Sequence, residues 1–130
     1  MIVFDTDTCI EILRGNKTVI EKRREYEGII GISFMSVAEL YYGAEKSGNY
    51  SKNNALIEEF LFTLEIINSN MEIMKKFGQI KRKQEIQGFA VADADLFIAA
   101  TTICSGDKLI TGNLKHFIRI EELTIEDWIR

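Results

Sequence analysis

The chain has 130 residues and a formal net charge of -4, with 46% hydrophobic and 28% charged residues. This profile predicts one soluble globular domain, residues 1–130, and argues against a generally basic nucleic-acid binder while leaving local basic patches open. No apolar run approaches the length of a membrane span, and Asp5 interrupts the first one, so neither a membrane protein nor a signal peptide is expected.

The first predicted strand is residues 2–4, a short run of strand-forming apolar side chains. Asp5 follows it directly, and Thr6 or Asp7 is expected to cap a helix that continues to Leu13. Ligands of parallel α/β sheets bind beyond the C-terminal ends of the strands. Asp5 is therefore a candidate site residue, although a turn or a helix cap explains the carboxylate equally well.

Helices and strands alternate along the rest of the chain, as hydrophobic periodicity and Gly, Ser and Asn stops indicate. Further strands are expected at residues 29–32, 64–67 and 109–111, with an edge strand at 123–125. Further helices are expected at residues 18–27, 36–46, 51–63, 69–87, 93–105 and 114–117. This pattern predicts an α/β fold in which helices flank a central, mostly parallel sheet of four or five short strands.

The two cysteines, Cys9 and Cys104, lie in apolar helical contexts and have no metal-ligand spacing around them. Buried free thiols are therefore expected rather than a disulfide, which places the protein in a reducing cytoplasm.

Three further polar residues occupy strand-end or helix-start positions. Glu39 is expected in the first turn of the helix after the second strand, although Ser36-Val-Ala-Glu39 also matches a capping box. Asp95 lies in the first turn of an apolar helix for which Asp93 already provides a natural cap, and a second buried acid costs free energy unless it is paired or metal-bound. Asn113 follows the fourth strand, although Gly-Asn is also a common turn pair.

Carboxylates gathered at one crevice repel one another and raise each other's pKa unless a cation lies between them. Oxygen donors without a histidine or cysteine set favour Mg²⁺ or Mn²⁺ over zinc. Such a site suits phosphodiester hydrolysis, because the metal lowers the pKa of a bound water and screens the charge that builds up on phosphorus.

Four stretches of this sequence carry a family resemblance: IVFDTDTCIEIL, ISFMSVAELYYGAEKS, DADLFIAATTICSGDKLITGNLKHF and LTIEDW. Together they cover much of the chain, and it resembles a PIN-domain ribonuclease of the VapC type, the toxin of bacterial and archaeal toxin–antitoxin pairs. The resemblance implies a three-layer PIN-like sandwich. It also implies a metal-dependent endoribonuclease that leaves a 3′-hydroxyl and a 5′-phosphate.

The resemblance implies a metal site built from Asp5, Glu39 and Asp95. It adds Asn113 as a polar fourth member that orients water or a metal-bound ligand, and Mg²⁺ or Mn²⁺ as the cofactor. Family members often carry an acid two or three residues after that asparagine.

Lys115 and His116 stand at those two positions instead, so one Mg²⁺ site is expected rather than two. His116, the only histidine, could bind or protonate a phosphate. A lone histidine in a surface turn is more often a bystander.

The partners expected from the resemblance are an RNA substrate, a cognate antitoxin protein and a second copy of the chain in a homodimer, with no membrane. The basic residues of helix 69–87 and of residues 22–24 could contact an RNA backbone, although solvated helix faces explain them equally well. Tyr41, Tyr42, Phe60 and Leu61 are expected at an antitoxin or dimer surface, with core packing as the alternative.

Two alternatives of other classes remain open. Residues 4–8 also contain an Asp-x-Asp pair similar to the signature of aspartate-nucleophile phosphatases of the haloacid dehalogenase type, where Asp5 would be phosphorylated and Asp7 would act as acid and base. The Gly-Asp pair of that family precedes the strand here, and the length leaves no room for a cap domain. The second alternative is a non-catalytic PIN module that only binds a partner, motivated by the missing late acid.

Overall fold

The computed structural model describes all 130 residues and contains five strands and seven helices. The strands are β1 (Ile2–Phe4), β2 (Ile30–Ser33), β3 (Glu65–Ile67), β4 (Lys108–Ile110) and β5 (Ile125–Glu126). The helices are α1 (Thr6–Leu13), α2 (Lys17–Glu25), α3 (Phe34–Lys46), α4 (Tyr50–Leu61), α5 (Met71–Ile86), α6 (Asp93–Ser105) and α7 (Leu114–Phe117). The predicted alternation of strands and helices is confirmed, with shifted boundaries at several ends.

The five strands form one parallel sheet in the order β3-β2-β1-β4-β5. The central strand is β1, in which Val3 is paired with Gly31 of β2 on one side and with Leu109 of β4 on the other. Because all strands run in the same direction, their C-terminal ends lie along one edge of the sheet. The residues that follow β1 and β4, Asp5 and Thr111, therefore meet there.

Both faces of the sheet are buried, because successive side chains of a strand point to opposite faces. Ile2 and Phe4 belong to one hydrophobic cluster, which Trp128 completes. Val3 belongs to the other, together with Leu96 of α6. Helices therefore cover both faces, and the predicted three-layer α/β sandwich is confirmed.

The capping residues of α1 and α6 differ from the sequence-based expectation. Asp5 itself, rather than Thr6 or Asp7, caps α1, because its extended backbone lets its carboxylate accept a bond from the first helical N–H. Ala92, rather than Asp93, is the cap residue of α6 and makes no side-chain capping bond. The Asp93 carboxylate instead pairs with a lysine of α5 at 2.9 Å.

The two cysteines are free thiols, as expected. Cys9 is buried but Cys104 is only half-buried, so the prediction of two buried thiols is correct for the first alone. None of the seven helices combines the length and the apolar character that a membrane crossing requires.

Candidate functional site

Asp5 is the most buried carboxylate of the chain, with 2% of its surface exposed. One of its oxygens accepts a bond from the Thr6 N–H at 2.8 Å, and the other accepts one from the Thr111 hydroxyl at 2.8 Å. Burial and the nearby charge of Asp7 raise the pKa of Asp5 to about 7, which these two bonds offset only in part. The fold thus holds a carboxyl group at the sheet edge without a positive partner.

Asp7, which was expected as a helix cap or as the acid and base of a phosphatase, is a half-buried carboxylate in the first turn of α1. Its Oδ2 accepts a bond from the backbone N–H of Gly112 at 2.8 Å, and burial raises its pKa as well. A Cβ at Gly112 would lie 3.0 Å from this oxygen and 2.8 Å from Cδ1 of Ile129. A side chain at position 112 would therefore displace the Asp7 carboxylate and the end of the Ile129 side chain.

Glu39 lies in the second turn of α3, not in the first, because the helix begins at Phe34. The alternative of a capping box is wrong: the side chain of Ser33 caps the helix by accepting a bond from the Ser36 N–H at 3.1 Å. The Glu39 carboxylate instead accepts a bond from the Thr6 hydroxyl at 2.7 Å. Glu39 therefore faces the start of α1, next to the cap residue Asp5.

The Thr6 hydroxyl has two neighbours in this network, since it also lies 2.9 Å from the hydroxyl of Ser36. A carboxylate can only accept, so Thr6 donates its proton to Glu39 and accepts from Ser36. The threonine thus fixes the orientation of Glu39 from α1, which the sequence did not indicate.

Asp95 lies in the first turn of α6, as predicted, and its charge contributes to the raised pKa of Asp5. Its Oδ2 is 3.0 Å from Nδ1 of His116. The histidine is therefore not an isolated surface residue, although it was expected to be a bystander. The only sequence signal for a role of His116 was its position three residues after Asn113, where family members often carry an acid.

Asn113 lies at the start of α7, and its side chain is exposed and makes no capping bond. Its backbone N–H donates to the Thr111 hydroxyl at 3.0 Å, and the same hydroxyl donates to Asp5. Thr111 thereby connects the Asn113 segment to the buried carboxyl, a role that the sequence did not reveal because 106 residues separate the two ends of that bond.

The three predicted ligands do not form a closed metal site in this arrangement: no group of three or more His, Cys, Asp or Glu side chains could hold a metal ion. The site of Asp5, Glu39 and Asp95 stays a prediction: here the Thr6 hydroxyl holds Glu39, and His116 contacts Asp95. The donor types still suit a hard cation, because Asp5, Asp7 and Glu39 form no ion pair with any lysine or arginine.

The other side chains considered from the sequence divide between core and surface. Phe60 is buried in the core, whereas Tyr42 is 64% exposed. Several lysines of α5 form ion pairs at the surface with acids of α6 or of the C-terminal segment. Their charges are thus partly neutralised within the chain.

Comparison with known proteins agrees with this fold. The PIN domain family model matches residues 2–123. A ribonuclease VapC2 of Haemophilus influenzae is 35% identical over 128 residues, which cover 98% of this chain and 97% of that protein. A tRNA(fMet)-specific endonuclease VapC of Salmonella typhimurium is 33% identical over 127 residues, which cover 97% of this chain and 96% of that protein.

Solved structures give the same result. In the crystal structure of VapBC2 from Rickettsia felis bound to a DNA fragment from their promoter, one chain superposes with a TM-score of 0.93 at 30% identity, covering 98% of this chain and 99% of that one. A DNA-bound VapBC structure from Salmonella typhimurium gives a TM-score of 0.92 at 32% identity, covering 98% and 97%. These similarities contradict the phosphatase alternative. The chain belongs to the PIN-domain family, among the VapC ribonucleases.

Proposed function

We propose that this protein is a metal-dependent endoribonuclease and the toxin of a type II toxin–antitoxin pair. The observation that carries the proposal is the buried carboxyl of Asp5 at the C-terminal edge of a parallel sheet, surrounded by further acids and no ion-pairing cation. Its relatives are named as VapC ribonucleases, which supports RNA as the substrate.

The proposed metal is Mg²⁺ or Mn²⁺, and Asp5, Glu39 and Asp95 would hold it. The support is the chemistry of the donors: oxygen atoms only, with a negative charge that no residue of the chain neutralises at Asp5 or Glu39. When bound, such a metal lowers the pKa of a water molecule and screens the charge that builds up on phosphorus.

The chain's own residues supply orientation. Thr111 and the Thr6 N–H hold the two oxygens of Asp5, and the Thr6 hydroxyl holds Glu39. The exposed side chain of Asn113 is available to position a water molecule or the scissile phosphate. Cleavage by in-line attack of water would leave a 3′-hydroxyl and a 5′-phosphate, as the family pattern implies.

The experiment that tests this function combines calorimetric titration with Mn²⁺ and an RNA cleavage assay. The wild type should bind Mn²⁺ and cleave RNA, and Asp95→Asn should weaken both. Asp93→Asn is the matched control, because Asp93 is a neighbouring acid of the same helix turn that pairs with Lys81. Equal loss in both variants would contradict a specific role for Asp95.

A non-catalytic partner-binding module is the second candidate, favoured by one observation: the three predicted ligands do not form a closed group. This candidate predicts no cleavage of RNA at any Mn²⁺ concentration. It also predicts that a protein partner binds equally well with and without Mn²⁺. The same titration and assay therefore separate it from the ribonuclease.

The proposed protein partner is a cognate antitoxin, because the similar solved structures are VapBC complexes. A homodimer is a further proposal, supported by exposed apolar side chains such as Tyr42 and Met71. Light scattering of the purified chain, alone and with its antitoxin, measures both assemblies. A monomer at micromolar concentration would contradict the homodimer.

A further inference from the structure

A cavity of about 470 Å³ lies beside Asp95, between α7 and the segment that connects α5 to α6. Asp95 and His116 form the wall nearest the predicted ligands, and Gln84, Phe89 and Arg119 form part of the remainder. The volume is within the range of small-molecule sites, roughly 300–1,000 Å³. The cavity is therefore large enough for a ligand that reaches the candidate site.

The wall of this cavity carries positive charge that the chain does not neutralise. Lys115 and Arg119 line it, and neither forms an ion pair with a carboxylate. Several lysines of neighbouring α5, in contrast, are paired with acids. The one carboxylate of the lining, Asp95, already contacts His116. The two unpaired cations therefore favour an anionic ligand, and phosphate is a common partner of both side-chain types.

An aromatic platform lies in the same wall. The guanidinium carbon of Arg119 is 4.0 Å from the centroid of the Phe89 ring. Phe89 is half-buried and lines the cavity. Single-stranded nucleic acids are bound by stacking their bases on such aromatic rings and guanidinium planes.

Gln84 contributes a hydrogen-bond acceptor that the protein leaves unused. The residue is 3% exposed and lines the cavity, and its Oε1 has no hydrogen-bond donor. Its Nε2 donates to the backbone carbonyl of Arg119 at 3.2 Å, which fixes the amide orientation because a carbonyl can only accept. Buried polar atoms are nearly always paired, so a water molecule or a ligand must supply the donor that Oε1 lacks within the chain.

We propose that this cavity is a nucleotide subsite, in which Lys115 and Arg119 bind the phosphate, Phe89 stacks on the base and Gln84 Oε1 accepts a base N–H. The proposal rests on the ribonuclease function and places one nucleotide of the RNA next to the scissile bond. The subsite uses three features of the wall: the unpaired cations, the aromatic ring of Phe89 and the acceptor of Gln84 that has no donor in the chain.

The test uses the full chain without metal, so that no catalysis is involved. Guanosine 5′-monophosphate and ribose 5-phosphate are titrated separately while backbone amide signals are followed by NMR. The nucleotide should shift the signals of Phe89 and of residues 115–119. It should bind about tenfold more tightly than the sugar phosphate, since stacking of one base contributes about this much.

Variants separate the contributions. Gln84→Met and Phe89→Ala should each reduce nucleotide affinity towards that of ribose 5-phosphate. Arg119→Gln should weaken both ligands. Lys52→Gln is the control, because Lys52 is an exposed, unpaired lysine of α4 outside the cavity. This substitution should leave the affinities for the nucleotide and for ribose 5-phosphate unchanged. Phe89→Ala keeps the proposal testable if Gln84→Met does not fold.

Equal affinities for the nucleotide and the sugar phosphate, or signal shifts outside the cavity, would overturn the subsite. RNA cleavage by the wild type is measured independently. Cleavage of RNA without nucleotide binding in the cavity overturns the subsite but not the ribonuclease function. Nucleotide binding in the cavity without cleavage of RNA supports the subsite and contradicts the ribonuclease function. A third outcome, in which Arg119→Gln weakens the antitoxin complex but not nucleotide binding, would show that the basic wall binds a protein and would also overturn the subsite.

Discussion

The Thr6 hydroxyl donates a hydrogen bond of 2.7 Å to the Glu39 carboxylate and thereby connects α1 to α3 at the candidate site. The backbone N–H of the same threonine donates to Asp5 at 2.8 Å. One residue thus orients two of the predicted metal ligands. Neither ligand has a positive partner within the chain, so hydrogen bonds alone hold this part of the site.

Replacing Thr6 by valine tests this relationship, because the shape is kept and the hydroxyl is lost. The unfolding free energy should fall by about 1–2 kcal/mol, since the bond to a charged acceptor is lost. RNA cleavage should fall as well, because Glu39 loses its orientation. Urea denaturation and the cleavage assay measure the two effects. Thr18→Val, at an exposed helix position, is the control and should leave both quantities unchanged.

Gly112 gives a prediction based on space. Gly112→Ala would place a Cβ 2.8 Å from Cδ1 of Ile129 and 3.0 Å from Oδ2 of Asp7. These side chains must shift, and the displaced Asp7 carboxylate then loses part of its bond from the Gly112 N–H. We expect a loss of about 1–3 kcal/mol. Gly43→Ala is the matched control: nothing lies within 4 Å of its Cβ and it lies inside α3, so stability should rise by about 0.5–1 kcal/mol. Equal melting temperatures for the two variants would contradict this account.

The strands and the polar residues at their ends could be predicted from local patterns. The first strand was placed correctly, since an apolar run ends at a carboxylate. The helix caps were less predictable: Ser33 and Ser36 both lie near the start of α3, and only the folded backbone decides which one caps it. The bond from Thr111 to Asp5 joins distant parts of the chain, so no local pattern could indicate it.

The raised pKa of Asp5 predicts how the stability of the metal-free protein depends on pH. Its pKa is about 7 in the folded state and 3.8 for an unperturbed carboxyl group, so the folded state binds the proton more tightly. Protonation of Asp5 therefore adds to the free energy of unfolding below pH 4. This contribution is lost as the pH rises to about 7, with a slope of up to about 1.4 kcal/mol per pH unit. Urea unfolding in EDTA across this range measures it.

Asp5→Asn is the control for that pH series, because an amide does not titrate in this range. The free energy of unfolding of the variant should not contain the pH-dependent contribution of Asp5. The variant should therefore become more stable relative to the wild type as the pH rises. Mn²⁺ should restore the stability of the wild type at pH 7 if Asp5 is a ligand. Parallel pH curves of the two proteins would show that Asp5 is already ionised in the folded state.

Asp95 provides the sharpest separation between a metal ligand and a helix-start residue. Asp95→Asn keeps the shape and can still accept a bond from His116, which lies 3.0 Å away, but it removes a charge. If Asp95 ligates metal, RNA cleavage should fall by orders of magnitude. Stability in EDTA at pH 8 should hold or rise, because one member of a repelling acidic cluster is neutralised. Mn²⁺ should then stabilise the wild type more than the variant, since a ligand that binds only the folded state adds stability by mass action.

If Asp95 instead serves only the start of α6, the signs reverse. The variant should lose roughly 0.3–1 kcal/mol with the favourable helix-dipole interaction, while cleavage and the response to Mn²⁺ survive. Thermal melts of both proteins with EDTA and with Mn²⁺, beside the RNA cleavage assay, distinguish the two outcomes. Asp93→Asn, at a neighbouring acid whose partner is Lys81, reports what the loss of any charge in this turn does. A destabilised Asp95→Asn that cleaves RNA at nearly the wild-type rate would remove Asp95 from the metal site.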